Sequence, residues 1–251
     1  MYNKIKKFFP SLIILFLLFI IWFIVSEFNI IPKFMLPSPN SVISSFINEF
    51  FTLLKHSLIT FSETIIGLIS SIFLSFNTAI LMDKYKTIKQ ALYPILIITQ
   101  TIPTIAIAPI IILFFGYGLL PKIVLVVICC FFPLTVSLSE GFESITLDYL
   151  NLFKSMNASY FQTLIHLKIP FSIPYFFAGL KISITYSFIT AVVAEWLGGT
   201  AGLGVYMTRV KSSYAFDKLF ASIIFISIVS FIFFRIIVMI QNKILNHLHI
   251  K

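Results

Sequence analysis

Long apolar stretches, each able to cross a lipid bilayer, constrain this chain more than any other feature. A helix needs about 20 apolar residues to span the hydrocarbon core. Only 11% of the 251 residues are charged, against about 25% in soluble domains, which excludes a fully hydrated surface. We therefore predict an all-α integral membrane protein with about six transmembrane helices. The predicted spans cover about residues 8–28, 57–82, 92–115, 122–141, 171–196 and 218–240.

Prolines predict where the helices are interrupted. Pro94, Pro103 and Pro109 fall in the third stretch, which we expect to be bent or broken. Between the first two spans, Pro37 and Pro39 precede a segment that predicts a short surface helix. This divides the chain into an N-terminal span with an extracellular connecting segment, residues 1–56, and a transmembrane core, residues 57–251.

Basic residues indicate the orientation in the membrane. Lys4, Lys6 and Lys7 precede the first apolar run, and no signal-peptide cleavage site follows it. A cytoplasmic N-terminus then places both termini and residues 142–170 inside the cell. Lysine and arginine are more frequent in the loops predicted to be cytoplasmic than in the outer loops, in agreement with the positive-inside rule. In this six-span topology, Lys122 falls in a loop on the outer side.

Residues 142–170 form a hydrophilic segment between the fourth and fifth spans. A helix over 152–167 would place the apolar residues of this segment on one face. Such a helix is typical either of the membrane interface or of an anchor that docks into a groove of a partner protein. The pattern alone does not decide between these two interpretations.

The motif LNLFKSMNASYFQTLIHLKIPFSIP resembles the EAA loop of the permease subunits of ATP-binding cassette (ABC) importers. The family pattern is E-A-A, three residues, Gly, nine residues, I-x-L-P. With Pro170 as the final proline, Asn151 occupies the position of the acidic residue and Asn157 that of the glycine, so both are departures from the family. Asn tolerates a left-handed backbone, which allows Asn157 to keep a glycine-like turn.

Three further motifs extend the resemblance over nearly the whole chain: LPSPNSV, QTIPTIAIAPIIILFFGYGLLPKIV and AEWLGGTAGLGVYM. They resemble the branch that imports nitrate, sulfonates, taurine and thiamine-pyrimidine precursors. The resemblance implies a type I ABC importer permease fold with a cytoplasmic coupling helix, joined to the fifth span by an elbow at Pro170 and Pro174. The residues that it implies in ATPase coupling are Phe153, Met156, Asn157, Ala158, Ser159, Tyr160, Leu164, Leu167 and Pro170.

The chain has no phosphate-binding loop of the form G-x-x-x-x-G-K-[ST], so we expect a non-catalytic transport subunit without a cofactor of its own. The resemblance implies that ATP and Mg are bound by a partner ATPase. It also implies a substrate-binding protein and a second permease copy in a homodimer within the lipid bilayer. The substrate that the resemblance favours is a hydroxymethylpyrimidine-like thiamine precursor. Nitrate, sulfonate or taurine are the alternatives, and a secondary transporter without an ATPase is a competing class.

Polar residues inside the spans are candidates for the substrate pathway, because they are costly in lipid and often functional. We single out Glu63, Gln100 and Glu195. A position at the membrane interface is an equally open interpretation for both glutamates. The glycine-rich segment predicts a flexible outer loop with Gly198, Gly199, Gly202 and Gly204. No cluster of His, Asp and Glu predicts a metal site.

Overall fold

The computed structural model describes residues 2–248, with the side chains of Pro10 and of residues 12–248. All regular structure in this part of the chain is helical. The helices are α1 Tyr2–Glu27, α2 Pro39–Asn48, α3 Phe50–Lys84, α4 Lys86–Thr101, α5 Thr104–Phe115, α6 Leu119–Glu143, α7 Leu147–Ser155, α8 Tyr160–Thr163, α9 Ile169–Gly198, α10 Leu203–Ser212 and α11 Phe216–His247. The side chains of Lys4, Lys6 and Lys7 lie outside the described residues.

Four helical units are long and apolar enough to cross a membrane: α3, α6, the unit Tyr160–Gly198 and α11. Together α4 and α5 form a fifth, and α1 holds a shorter apolar segment, Leu12–Glu27. These units follow the order of the six predicted spans, and the all-helical membrane fold is confirmed. The second span begins at Phe50 rather than near residue 57, because no proline or glycine interrupts the intervening residues.

The predicted break in the third span is confirmed. α4 and α5 meet at an angle of 105°. Ile102 and Pro103 between them adopt extended backbone conformations, since a proline has no N–H to donate and disfavours the helical conformation of the residue before it.

The core of the bundle consists of α3, α6 and α9, which pack along one another. Glycines permit this close approach. A Cβ atom at Gly67 would lie 2.6 Å from the Val126 Cβ, and one at Gly179 would lie 2.7 Å from the Pro133 carbonyl oxygen. Small residues at helix contacts are what membrane proteins use to bring backbones together. Larger side chains at these two positions would separate the core helices.

Hydrogen bonds reinforce the contact between α6 and α9. The Ser183 hydroxyl donates to the Cys130 carbonyl at 3.1 Å, and the Cys130 thiol donates to the Ser183 carbonyl at 3.3 Å. Both side chains are buried. In hydrocarbon these groups have no water as an alternative partner, so the reciprocal pair fixes the register of the two helices.

The short surface helix predicted after Pro39 is α2, and it is anchored to α11. Ser38 caps its N-terminus and Pro39 occupies its first turn. The Ser45 hydroxyl donates to the Asp217 carboxylate, and the Lys218 ammonium lies 2.5 Å from a Glu49 carboxylate oxygen. The hydrogen bond from Lys218 holds the pKa of Glu49 below its ordinary value.

The hydrophilic segment departs from the prediction of one helix over 152–167. α7 ends at Ser155, and α8 begins at Tyr160. Asn157 lies between them with φ at 50°, so the glycine-like turn expected at this residue is present. The Ala158 N–H donates to the Phe153 carbonyl and the Asn157 N–H to the Lys154 carbonyl, each at 3.0 Å. This pattern is a Schellman motif, which ends α7.

A capping box starts the next helix immediately. The Ser159 hydroxyl accepts from the Gln162 N–H at 3.2 Å, while the Ser159 N–H donates to the Gln162 side-chain oxygen at 2.7 Å. The motif that ends α7 and the motif that starts α8 are thus adjacent, and together they fix residues 156–159. We call these four residues the elbow, because they set the direction of α7 relative to α8.

The sequence predicted that the chain bends at Pro170 and Pro174, where the coupling segment joins the fifth span, and this prediction is wrong. From Tyr160 the chain stays helical to Gly198, through a π-helical turn over Leu164–Lys168 and past both prolines. Pro170 falls in the first turn of α9, after a π-helical segment in which the hydrogen-bond register has already changed. Membrane helices tolerate such prolines where local π adjustments and neighbouring groups satisfy the freed carbonyls.

The conformation of Asn157 yields a test of the elbow. We expect Asn157→Gly to leave the apparent melting temperature unchanged or slightly raised, because glycine adopts a positive φ without strain. Asn157→Val should cost about 1–2 kcal/mol, since a β-branched residue is strained in the left-handed region. Thermal unfolding of the purified chain measures both. Equal melting temperatures for the Gly and Val variants would contradict the elbow geometry.

Candidate functional site

The coupling segment presents an apolar surface on α7. We name the end of the bundle that carries α7 the α7 end, and the opposite end the α10 end. Leu147 is 73% exposed, Leu152 53% and Met156 69%. Of the other predicted coupling residues, Asn157 and Ser159 are exposed, while Phe153 and Ala158 are half-buried. Large apolar side chains so exposed on a polar segment are typical of a surface covered by a partner or by lipid.

The remaining predicted coupling residues face the interior. Leu164 and Leu167 are buried, and Tyr160 and Pro170 are half-buried. Leu164 packs in a cluster with residues of α3 and α6, with Tyr160 against its edge. The apolar residues that periodicity placed on a single face therefore lie on two different surfaces. Those before the elbow are exposed, whereas those after it pack against the bundle, because the chain changes direction at the elbow.

Asp83, near the C-terminus of α3, connects the elbow region to the bundle. The Lys168 ammonium contacts both Asp83 carboxylate oxygens, at 2.6 and 2.8 Å, and the Tyr160 hydroxyl donates to one of them at 2.8 Å. Lys89 and Glu143 form a second ion pair at this end, between α4 and α6. The Asp83 contacts tie α8 and the π-helical turn to α3. Asp83 was not identified from the sequence, although an acidic residue that closes a span was a usable signal.

At the α10 end, Glu63 and Lys122 form a buried ion pair. The Lys122 ammonium lies 2.6 Å from Glu63 Oε1, and Lys122 and Glu63 are 5% and 1% exposed. The pair joins α3 to α6. The assignment of Lys122 to an outer loop is wrong, because this lysine belongs to the first turn of α6 and finds its counter-ion inside the bundle. Because Lys122 directly follows a proline and precedes an apolar run, the sequence suggested the end of a loop and not a buried ion pair.

Glu195 fastens the beginning of α10 to α9 and α3. Its carboxyl group accepts from the Thr60 hydroxyl at 2.6 Å and from the Gly204 N–H at 2.5 Å. The Thr60 hydroxyl oxygen also accepts from the Leu203 N–H at 2.9 Å. Glu195 is 1% exposed and Thr60 is fully buried. The expectation that Glu63 and Glu195 are solvated is therefore wrong, because both side chains are buried inside the bundle.

The glycines predicted to form a flexible loop are largely packed. Gly198 is the last residue of α9, and Gly204 lies in the first turn of α10. Gly202 has φ at 120°, a conformation that side chains rarely adopt, and its N–H donates to His56 Nδ1 at 3.3 Å. Close contact with Glu195 leaves no room for a Cβ atom at Gly202 or Gly204. The glycines serve close approach of the backbone to Glu195 rather than flexibility.

Gln100 does not join the two glutamates. It is exposed near the C-terminus of α4, and its side chain makes no hydrogen bond within the described residues. A groove of about 890 Å³ opens between α9, α10 and α11, with Trp196, Thr208 and Phe231 in its wall, but none of Glu63, Gln100 and Glu195 lines it. No group of three potential metal ligands occurs among the described residues. Two of the three predicted pathway residues thus meet in one buried cluster.

The role of Thr60 is testable with a matched control. Thr60→Val keeps the shape of the side chain but leaves Glu195 Oε1 and the Leu203 N–H without a partner, which should cost about 1–3 kcal/mol. Thr64→Val is the control, since the equally buried Thr64 hydroxyl only donates to the Thr60 carbonyl of its own helix, at 2.7 Å. We expect a clearly lower melting temperature for the Thr60 variant. Equal effects of the two substitutions would argue against the network.

Comparison with known proteins agrees with this architecture. Residues 71–246 match the family of binding-protein-dependent transport system inner membrane components. A probable ABC transporter permease protein of Haemophilus influenzae is 34% identical over 90% of this chain and 92% of its own length. The formylaminopyrimidine transport permease of Halalkalibacterium halodurans is 36% identical, over 94% of each chain.

Two more distant proteins are also similar to this chain. The taurine transport permease of Escherichia coli is 26% identical over 84% of this chain and 80% of its own length. In a crystal structure of an amino acid ABC transporter with histidines, one chain superposes with a TM-score of 0.64, at 15% identity, over 81% of this chain and 97% of that one. The protein described here therefore belongs to the binding-protein-dependent inner membrane components, as a multi-pass permease of the ABC importer type.

Proposed function

We propose that this chain forms the substrate pathway of an ABC importer and takes its energy from a separate ATPase that docks on α7. The observation that carries the proposal is the exposed apolar surface of Leu152 and Met156 at the C-terminal end of α7, on an end of the bundle that also carries two ion pairs. An amphipathic helix that lays apolar anchors into a groove is a recurrent mode of protein recognition. Lipid is the other surface that such side chains could meet.

The connection from α7 to the bundle is suited to transmit force. The elbow is held by its own hydrogen bonds, and Asp83 fixes α8 through Tyr160 and Lys168. Beyond the elbow, Tyr160–Gly198 is one helical unit of 39 residues, about 58 Å long at 1.5 Å per residue. Glu195 lies near its far end. A displacement of α7 would therefore reach the buried cluster at the α10 end through one continuous helix.

The remaining parts of the transporter follow from the family. We infer that the α7 end and both termini are cytoplasmic, in accordance with the distribution of basic residues. ATP and Mg would be bound by the ATPase, without a cofactor in this chain. A substrate-binding protein would deliver the substrate at the α10 end. A second copy of the permease would complete the pathway in a homodimer embedded in lipid.

For the substrate we favour a pyrimidine precursor of thiamine, similar to hydroxymethylpyrimidine. The support is the 36% identity, over nearly the full length, to a relative named for formylaminopyrimidine transport. The relatives named for taurine, aliphatic sulfonates and nitrate are 23–27% identical. These three compounds are the alternative substrates, for which the role of the chain would be the same. A secondary transporter would not need the α7 surface at all.

The docking surface is tested by co-purification with the ATPase. Leu152→Asp and Met156→Asp would each bury a carboxylate in an apolar groove, at a cost of at least about 2 kcal/mol, or roughly thirtyfold in affinity. Phe51→Asp is the control, because Phe51 is 81% exposed but lies at the α10 end. We expect the ATPase to be lost from the two α7 variants only. Retention by all three variants would overturn the docking proposal.

Tyr160→Asp separates docking from folding. Tyr160 packs inside the bundle and donates a hydrogen bond to Asp83, so a carboxylate there would face a second carboxylate. We expect a lower melting temperature for this variant, and any loss of the ATPase should follow the loss of folded permease. A stably folded Tyr160→Asp variant that no longer binds the ATPase would show that this side chain contacts the partner directly.

The substrate is tested by uptake in cells that lack this permease. We expect these cells to lose the accumulation of labelled hydroxymethylpyrimidine at low external concentration, and plasmid-borne wild-type permease to restore it. Permease with Met156→Asp should insert in the membrane without restoring uptake. Unchanged pyrimidine uptake together with loss of taurine, sulfonate or nitrate uptake would reject the substrate but keep the role.

A further inference from the structure

The buried cluster at the α10 end holds more acid than base. It consists of Glu63, which is paired with Lys122, and of Glu195, which accepts hydrogen bonds from Thr60 and Gly204. Each of the three ionisable residues is at most 5% exposed. With both carboxyl groups ionised, one lysine would face two anions in a place that water scarcely reaches. An unpaired buried charge costs several kcal/mol, and such groups take up or release a proton instead.

The hydrogen bonds indicate where a proton is held. Lys122 donates to Glu63 Oε1, whereas the buried Glu63 Oε2 receives no hydrogen bond within the described residues. Thr60, which donates to Glu195, and Glu63 are three residues apart on α3 and therefore lie on the same buried face, which brings the Glu63 and Glu195 carboxyl groups near each other. Two ionised carboxylates would repel each other there. A single proton held between the two carboxyl groups would remove this repulsion and would give Glu63 Oε2 a hydrogen-bond partner.

We propose that Glu63 and Glu195 together bind one proton at neutral pH, and that this buried proton site fastens the segment Gly199–Gly204 to α3. With one proton, the cluster carries one carboxylate and one ammonium and is neutral overall. The proton belongs to the pair rather than to either residue. The inference does not depend on the ATPase or on the substrate, since it rests only on contacts inside the chain.

The other charged groups near the cluster define the useful pH range. His56 on α3 accepts from the Gly202 N–H through Nδ1, so it is neutral in this arrangement, and its ring lies 5.4 Å from the Tyr206 ring of α10. Arg209 donates to the Thr200 carbonyl and is exposed, as is Lys55. α5 contributes no titratable residue. Protonation of His56 would break this hydrogen bond only at acidic pH, so the proton site is best tested above neutral pH.

The direction of the pH effect follows from proton counting. In the folded chain the pair binds one proton, while in the unfolded chain both glutamates are ionised at neutral pH. The folded state therefore binds more protons, and its stability falls as pH rises. One proton corresponds to a change of about tenfold in the unfolding equilibrium per pH unit. The effect ends where the pair loses its proton in the folded state.

Glutamine substitutions test this count, because glutamine imitates a protonated glutamate. The full chain is used with Cys129→Ala, so that a thiol-reactive dye reports unfolding through the buried Cys130. The melting temperature of this parent should fall between pH 7 and pH 9. Glu195→Gln should remove most of that fall while keeping the stability at pH 7. Glu143→Gln, at an exposed carboxylate, is the control and should behave as the parent does.

The double variant Glu63→Gln with Glu195→Gln makes the test sharper. Each single variant leaves Lys122 one carboxylate, whereas the double variant leaves a buried ammonium without a counter-ion. We expect the double variant to lose much more stability than the two single losses together. An infrared band of a protonated carboxylic acid at neutral pH should be present in the parent and absent from Glu195→Gln.

Three results would overturn the proposal. One is a Glu195→Gln variant with the full pH dependence of the parent, and another is the absence of the carboxylic acid band from the parent. The third is stabilisation of the parent, but not of Glu195→Gln, by sodium ions at fixed pH, which would identify a metal cation in place of the proton. If a glutamine variant fails to fold, the infrared measurement still tests the proposal, because it is made on the parent, in which both glutamates are intact.

Discussion

Lipid offers no hydrogen-bond partner to the backbone, and this constraint governs where the chain can depart from helix. Within the described residues, two of the departures between spans occur at segments that supply their own hydrogen bonds. The elbow satisfies its groups through the Schellman motif and the Ser159 capping box. The glycine segment before α10 does so through His56, Thr60 and Glu195. Polar side chains thus serve the backbone at these two helix ends.

One helical unit links the two polar ends of the bundle. Tyr160–Gly198 begins at the Asp83 contacts and ends at the Glu195 cluster. Its middle is fixed to α6 by close glycine packing and by the Cys130 and Ser183 hydrogen bonds. Contacts at both ends of this unit therefore connect the α7 end of the bundle to the α10 end. This property suits a permease in which an event at the α7 end must change the α10 end.

The sequence predicted the features that depend on local chemistry. Apolar length gave the spans, Pro103 gave the break between α4 and α5, and Asn157 gave the left-handed turn. Features that depend on packing between distant segments were not predictable. Periodicity showed that Leu164 lies on an apolar face but not that the bundle itself covers that face. Likewise, no local pattern pairs Lys122 with a glutamate 59 residues away, and helix continuation past Pro170 depends on a π-helical turn.

We propose that an ATPase acts on this permease through α7. Photo-crosslinking in intact membranes tests it most directly, with a photoreactive amino acid placed at position 156 and, for comparison, at position 51. The account predicts a crosslink between position 156 and the ATPase, with a yield that changes when ATP is added, and no such crosslink from position 51. If position 156 labels only lipid while the ATPase is bound elsewhere on the permease, α7 is an interfacial helix and the account is wrong.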